Sequence, residues 1–155
     1  MERVKQAILQ GNYDEIFRKL YCNPEAVEQQ KLRYIHTLQK FETLYGKKDI
    51  EIYSAPGRTE ICGNHTDHQN GKVLAASIDL DAIAVVSKRE DTIVHIKSEG
   101  YQTFAIDISD LEIKQEEIGT TKALVRGVAN GIKSRGYEIG GFDAYITSDV
   151  LSGSG

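Results

Sequence analysis

The stretch Ala55-Pro-Gly-Arg-Thr-Glu-Ile-Cys-Gly-Asn-His-Thr-Asp67 decides how the rest of the chain is read. Within it stand an arginine, an amide, a histidine and an aspartate, spaced by two glycines. Arg58 presents a planar fork of donors that suits phosphate oxygens. Asp67 presents two strong acceptors of the kind that hold hydroxyl groups. Gly57 and Gly63 allow close backbone approach, and Pro56 stiffens the lead-in. A phosphate-binding cation beside a hydroxyl-binding acid suits the transfer of a phosphoryl group to a small molecule.

Working outward, strand patterning precedes and follows this stretch. Ile50–Ser54 alternates and leads straight into it. Val73–Ile78, Ala82–Ser87, Ile93–Lys97 and Phe104–Ile108 read as further short strands, divided by turn signals such as Asn70-Gly71 and Arg89-Glu-Asp91. Thr120 or Thr121 caps a helix that carries Leu124, Val125, Val128, Ala129 and Ile132 on one side and stops at Gly136. Gly140-Gly141 then turns the chain into a last strand, Phe142–Thr147.

The first 46 residues are helical in character. Asn23 caps a helix with Pro24 at its first position and Glu25 at the positive end of its dipole. Apolar residues recur at Val27, Leu32, Ile35, Leu38, Phe41 and Leu44 until Gly46 ends the run. Shorter helices are expected over Val4–Gln10 and Tyr13–Leu20, as a peripheral layer. The result is an α+β fold with a sheet of about five or six strands. Two units are expected: a helical N-terminal extension over residues 1–46, and a second unit over 47–155.

Composition sets outer bounds. The 155 residues are 40% hydrophobic and 27% charged, ordinary for a globular chain. Nineteen basic against 23 acidic residues leave a net charge of −4, which argues against a nucleic-acid partner. No run reaches the roughly 18 apolar residues of a membrane span, and the start lacks a signal-peptide core, so a cytoplasmic protein without a membrane partner is expected. Cys22 and Cys62 have no metal-ligand spacing and read as reduced, half-buried thiols. His36 and His95 read as surface or packing residues, and no metal ligands are assigned.

On these residues the sequence resembles the galactokinases, members of the GHMP small-molecule kinase family. Their first motif runs Gly-Arg-Val-Asn-Leu-Ile-Gly-Glu-His-Thr-Asp-Tyr; here it stands as Gly57-Arg-Thr-Glu-Ile-Cys-Gly-Asn-His-Thr-Asp-His68. The likeness continues through Gly71–Ile78, Val125–Val128 and Gly140–Ala144, covering Asp49–Gly155, about two-thirds of the chain. The resemblance implies the GHMP N-terminal domain fold (ribosomal protein S5 domain 2-like): a mixed, mostly antiparallel sheet backed by helices. It implies that Arg58 stabilises the transferring phosphoryl group and the catalytic aspartate. It further implies that Asn64, His65, Thr66 and Asp67 bind the sugar, Asp67 holding ring hydroxyls. Ser98 matches a nucleotide contact. Ser152, Gly153, Ser154 and Gly155 match the opening of the family's phosphate-binding motif, Pro-x-Gly-x-Gly-Leu-Ser-Ser-Ser-Ala, with Leu151 where proline is common.

ATP and Mg2+ are the implied cofactors, and galactose is the implied substrate. The catalytic aspartate, the magnesium ligands and a C-terminal domain would then lie beyond Gly155, and the present piece is expected to be inactive alone. Two departures bear on the sugar: Asn64 replaces a glutamate that meets the exocyclic hydroxymethyl group, and His68 replaces a tyrosine. Galacturonate or an N-acetylated hexosamine is therefore an alternative substrate. A non-catalytic sensor of sugar and ATP on the same fold is the other alternative.

Overall fold

In the computed structural model the described residues are 1–63 and 66–151, with only the backbone described at Asp67. Three helices come first: α1 (Glu2–Leu9), α2 (Asp14–Leu20) and α3 (Ala26–Tyr45). There follow β1 (Glu51–Cys62), β2 (Leu74–Lys88), β3 (Ile93–Ser98), β4 (Phe104–Asp107), α4 (Thr121–Lys133) and β5 (Phe142–Ser148). The strands form one sheet in the order β1-β2-β5-β3-β4, with β3 and β5 parallel and the other neighbours antiparallel. This is an α+β fold with a sheet of five strands, in line with the patterning, and of the mixed, mostly antiparallel kind that the resemblance implies.

At the helix ends one expectation fails and the others hold. α3 begins at Ala26 with Glu25 at its N-cap and no side-chain cap bond, so Asn23 is not the cap; its side chain instead accepts the Glu25 N–H at 3.0 Å in the turn before the helix. Gly46 follows α3 with a φ of 78°. The Thr120 hydroxyl accepts the Ala123 N–H, and Gly136 takes a φ of 86° just after α4. These are the conformations that caps and stops require.

Two strand expectations need correction. The arginine segment does not leave the sheet after Ser54; β1 runs on through Cys62. Likewise, the expected strands Val73–Ile78 and Ala82–Ser87 are one strand, β2. The reason is mutual pairing: Arg58 lies opposite Ser77 and Glu60 opposite Ala75, so each half of the ribbon satisfies the other's backbone. The expected break survives as a register shift between Pro56 and Arg58. Pro56 is tolerated because β1 is an edge strand and needs no donor on its outer side.

The stripe on α3 also differs from the expectation. Leu32 and Leu44 are exposed, and the buried face runs through Val27, Tyr34, Leu38 and Phe41. Gln30, Lys31 and Thr37 complete that face, so polar residues occupy positions that a count of apolar side chains skips. Far from peripheral, α3 closes a core in which Leu38 and Phe41 meet Ile83, Val85 and Tyr145 of the sheet. A second cluster joins Val94, Ile106 and Ile108 to Ala129 of α4. Only part of the α4 face is used: Val125 and Ala129 pack inward, while Leu124, Val128 and Ile132 remain exposed. Cys22 and Cys62 are free and exposed rather than half-buried. No helix among the described residues is long and apolar enough to cross a membrane.

One ionic cluster pins the start of β5. Asp143, with its side chain 1% exposed, accepts from Lys48, from Arg89 at 3.1 Å, and sits 2.9 Å from His95 Nδ1. Burial pushes its carboxyl up, but hydrogen bonds from Lys48, His95 and Arg89 outweigh burial and hold it below the ordinary aspartate value. A depressed carboxyl stabilises the fold above its unfolded value of about 3.9, and that contribution disappears as pH falls through the folded value. Melting temperature should therefore drop between about pH 5 and pH 2. The slope should be shallower in Asp143→Asn; an unchanged slope would assign it to other carboxylates. His95 thus serves packing and pairing, as expected from sequence, and His36 lies on the surface 3.8 Å from Glu99.

Candidate active site

The register of the sheet determines what meets at its working end. Ala55 of β1 lies opposite Ala82 of β2, which lies opposite Ser148, the last residue of β5. Beyond that row β5 stops, while β1 and β2 continue as a two-stranded ribbon. Arg58 stands on this ribbon, three residues past the row. Ser98 is the last residue of β3 and pairs in parallel with Ile146, so it ends at the same edge. The structure therefore gathers Arg58, Ser98 and the chain leaving β5 at one end of the sheet.

Close packing ties the ribbon to that departing chain. A Cβ placed on Gly57 would lie 2.9 Å from a Val150 methyl and 3.1 Å from Ile78. The absence of a side chain at Gly57 is what lets Val150 seat against the strand that carries Arg58. A register shift at this point re-aims the strand, as bulges beside functional residues often do.

The turn after β1 is equally constrained. Gly63 has a φ of 119°, and a Cβ there would come within 2.7 Å of the Lys72 carbonyl and of Val73. Only glycine combines that backbone angle with that proximity. The Thr66 hydroxyl donates to the Gly63 carbonyl at 2.8 Å, and the Thr66 carbonyl accepts the N–H groups of Gln69 and Gly71. Asp67 opens a 3-10 turn, Asp67–Gln69, that ends on Asn70 in the left-handed region. Asn64, His65, Ser152, Gly153, Ser154 and Gly155 lie outside the described residues.

Behind this edge lies a polar cluster that sequence reading did not single out. Asp81, 4% exposed, accepts from Tyr21 at 2.8 Å, from Ser54, and from Arg33 at 2.6 Å. Burial, followed by hydrogen bonds with Tyr34 and Asp81, pushes the Tyr21 phenol far up, so it acts as a neutral donor. Arg33 also reaches Asp149 at 3.0 Å. Nothing in a single sequence marks Arg33 or Asp81 among its many charges; only the fold brings residues 48 positions apart together.

Among the described residues no group of three His, Cys, Asp or Glu side chains is placed to hold a metal ion. The fit to magnesium therefore cannot rest on these residues, and no step is assigned to it here.

Comparison with known proteins agrees with this geometry. Residues 39–88 match a family model described as the galactokinase galactose-binding signature. A galactokinase of Lactococcus lactis subsp. cremoris is 33% identical over 122 residues, which are 76% of this chain and 30% of that protein. The galactokinase of Streptomyces coelicolor is 29% identical over 117 residues, with the same coverage. The chain thus spans about 30% of the length of the curated relatives it matches. Among solved structures, Lactococcus lactis galactokinase complexed with galactose superimposes with a TM-score of 0.63 at 31% identity, over 74% of this chain and 30% of its own. Methanococcus jannaschii mevalonate kinase shares the fold, with a TM-score of 0.54 at 15% identity over 69% of this chain. An arginine ribbon packed on the exit of β5, the matched signature around it and the shared fold lead to one conclusion: over about three-quarters of its length, this chain matches the galactokinases and has the fold that they share with other GHMP kinases.

Proposed function

We propose that the protein to which this chain belongs is an ATP-dependent sugar kinase that phosphorylates galactose at its anomeric hydroxyl, and that the chain supplies its N-terminal part. The observation that carries this reading is the seating of Val150 on Gly57, which joins the Arg58 strand to the segment running into Ser152–Gly155. The coverage of about 30% of each relative supports a longer protein.

In this reading Asp67, with Asn64, His65 and Thr66, holds the sugar hydroxyls, and Arg58 neutralises charge on the transferring group. Ser98 and the backbone amides of Ser152–Gly155 hold the nucleotide, since amides converging on an anion need no side chain. The anomeric oxygen attacks the terminal phosphorus, the new O–P bond forms as the bridging bond to the nucleoside diphosphate breaks, and the hydroxyl proton leaves. Phosphoryl transfer needs little covalent help, so positioning and charge neutralisation account for most of the rate. ATP supplies the phosphoryl group, with Mg2+ as its counter-ion, in a reaction assigned to the cytoplasm. Residues beyond Gly155 are assigned the proton acceptor and the metal ligands, so the chain alone is expected not to turn over.

Asn64 favours a second reading, a kinase for a related sugar, because a neutral amide repels a C6 carboxylate less than glutamate does. The test is turnover by the whole protein with ATP and Mg2+ on galactose, galacturonate and N-acetylgalactosamine. We expect galactose 1-phosphate as the main product. Higher kcat/KM for galacturonate or the hexosamine would support the second reading. Binding of galactose and ATP without turnover would make the protein a sensor.

A further inference from the structure

We infer that Arg33 of α3 is a positioning residue for the phosphate-binding segment, acting through Asp81 and Asp149. The inference rests on the proposed function, because it assigns a role within the same site.

Its guanidinium holds β2 and the end of β5 in one grip. Nη1 donates to Asp81 Oδ1 at 2.6 Å and to Gln30 Oε1 at 3.0 Å, and lies 3.0 Å from Asp149 Oδ2. Nη2 donates to the Asp81 carbonyl at 2.8 Å and reaches the Thr147 carbonyl at 3.4 Å. Gln30 Nε2 donates to Asp149 Oδ2 at 3.2 Å, and the Asp149 N–H donates to the Asp81 carbonyl at 3.0 Å. Asp81 lies opposite Pro56, two residues before Arg58, and its carboxylate also accepts from Ser54 of β1 and Tyr21 of α2.

The consequence is directional. Asp149 is the first residue after β5, and three residues later comes Ser152. Held by Arg33 and Gln30 on the helix side, and followed by Val150 packed on Gly57, residues 147–150 leave the sheet along one path. The same guanidinium registers the Arg58 strand through Asp81. A planar fork with several donors suits this task, and an ammonium group cannot hold all five acceptors at once. Gln30 and Arg33 both precede residues 39–88, so the brace comes from outside the matched signature. The Arg33 side chain is 12% exposed, while that of Asp149 is 38% exposed. Asp149 can therefore be altered with less risk to folding.

The test uses the whole protein and three variants: Arg33→Met, Arg33→Lys and Asp149→Asn. Equilibrium affinities for ATP and for galactose are measured with turnover and melting temperature. We expect Arg33→Met and Asp149→Asn to weaken ATP binding and raise its KM roughly tenfold, the equivalent of one charge-assisted hydrogen bond. Galactose affinity should stay within about twofold, and Arg33→Lys should fall between Arg33→Met and wild type. If Arg33→Met does not fold, Asp149→Asn decides the matter. Unchanged ATP affinity in Asp149→Asn, or equal losses for ATP and galactose that follow melting temperature, would overturn the inference. Wild-type protein that binds both ligands without turnover would sink the proposed function, yet the brace would still be read from the two affinities. Wild-type protein that binds no ATP would end both.

Discussion

Replacing Arg58 by alanine in the whole protein is expected to lower kcat by roughly 10²–10³ while galactose still binds. The magnitude follows from what a single preorganised donor contributes where charge develops, about 2.7–4 kcal/mol of barrier. Arg58 projects from a ribbon whose register is fixed on one side by Ser77 and Ala75 opposite Arg58 and Glu60. Just before it, Gly57 lies so close to Val150 and to Ile78 of β2 that a Cβ there would meet both. A side chain mounted this way is pre-positioned, so truncation removes an interaction that costs no reorganisation to make. Steady-state kinetics paired with a galactose titration gives the answer. Turnover within threefold of wild type would remove Arg58 from the chemistry.

The second large effect is structural. Phe41→Ala should cost about 3–5 kcal/mol, a large share of the 5–15 kcal/mol that a typical domain has in total. Phe41 is fully buried, and its ring is tilted against that of Tyr45, with centroids 5.0 Å apart. Its neighbours in the core come from both layers: Leu38 and Tyr34 from α3, and Ile83, Val85 and Tyr145 from β2 and β5. The cavity left by its ring cannot collapse easily when one wall is a hydrogen-bonded sheet. Denaturant unfolding of wild type and variant measures the difference. A loss under about 1 kcal/mol would mean that α3 does not close this face of the sheet.

These two expectations show what was legible in the chain and what was not. The Arg58 segment stood out as a candidate site because its signal is local: glycines, a cation and an acid packed into thirteen residues. The helix cap at Thr120 was legible for the same reason, since a cap satisfies a backbone group three residues away; at Asn23 the signal marked only the turn before α3, which starts at Ala26. The stripe on α3 was misread at Leu32 and Leu44, because burial there follows the sheet's shape and admits Gln30, Lys31 and Thr37. The break expected before Ala82 failed because a partner strand, absent from any local window, supplied the backbone bonds.

By itself, then, the sequence determined the likeness to the galactokinases, most of the helices and strands, and a candidate site around Arg58, all of which depend on side-chain type and short spacing. The tertiary structure decided that β1 and β2 extend past β5 as a ribbon, that Gly57 seats Val150, and that Arg33 meets Asp81 and Asp149. Each of these is a contact between residues tens of positions apart. Such contacts form only when burial of a shared core outweighs the entropy of closing the chain between them.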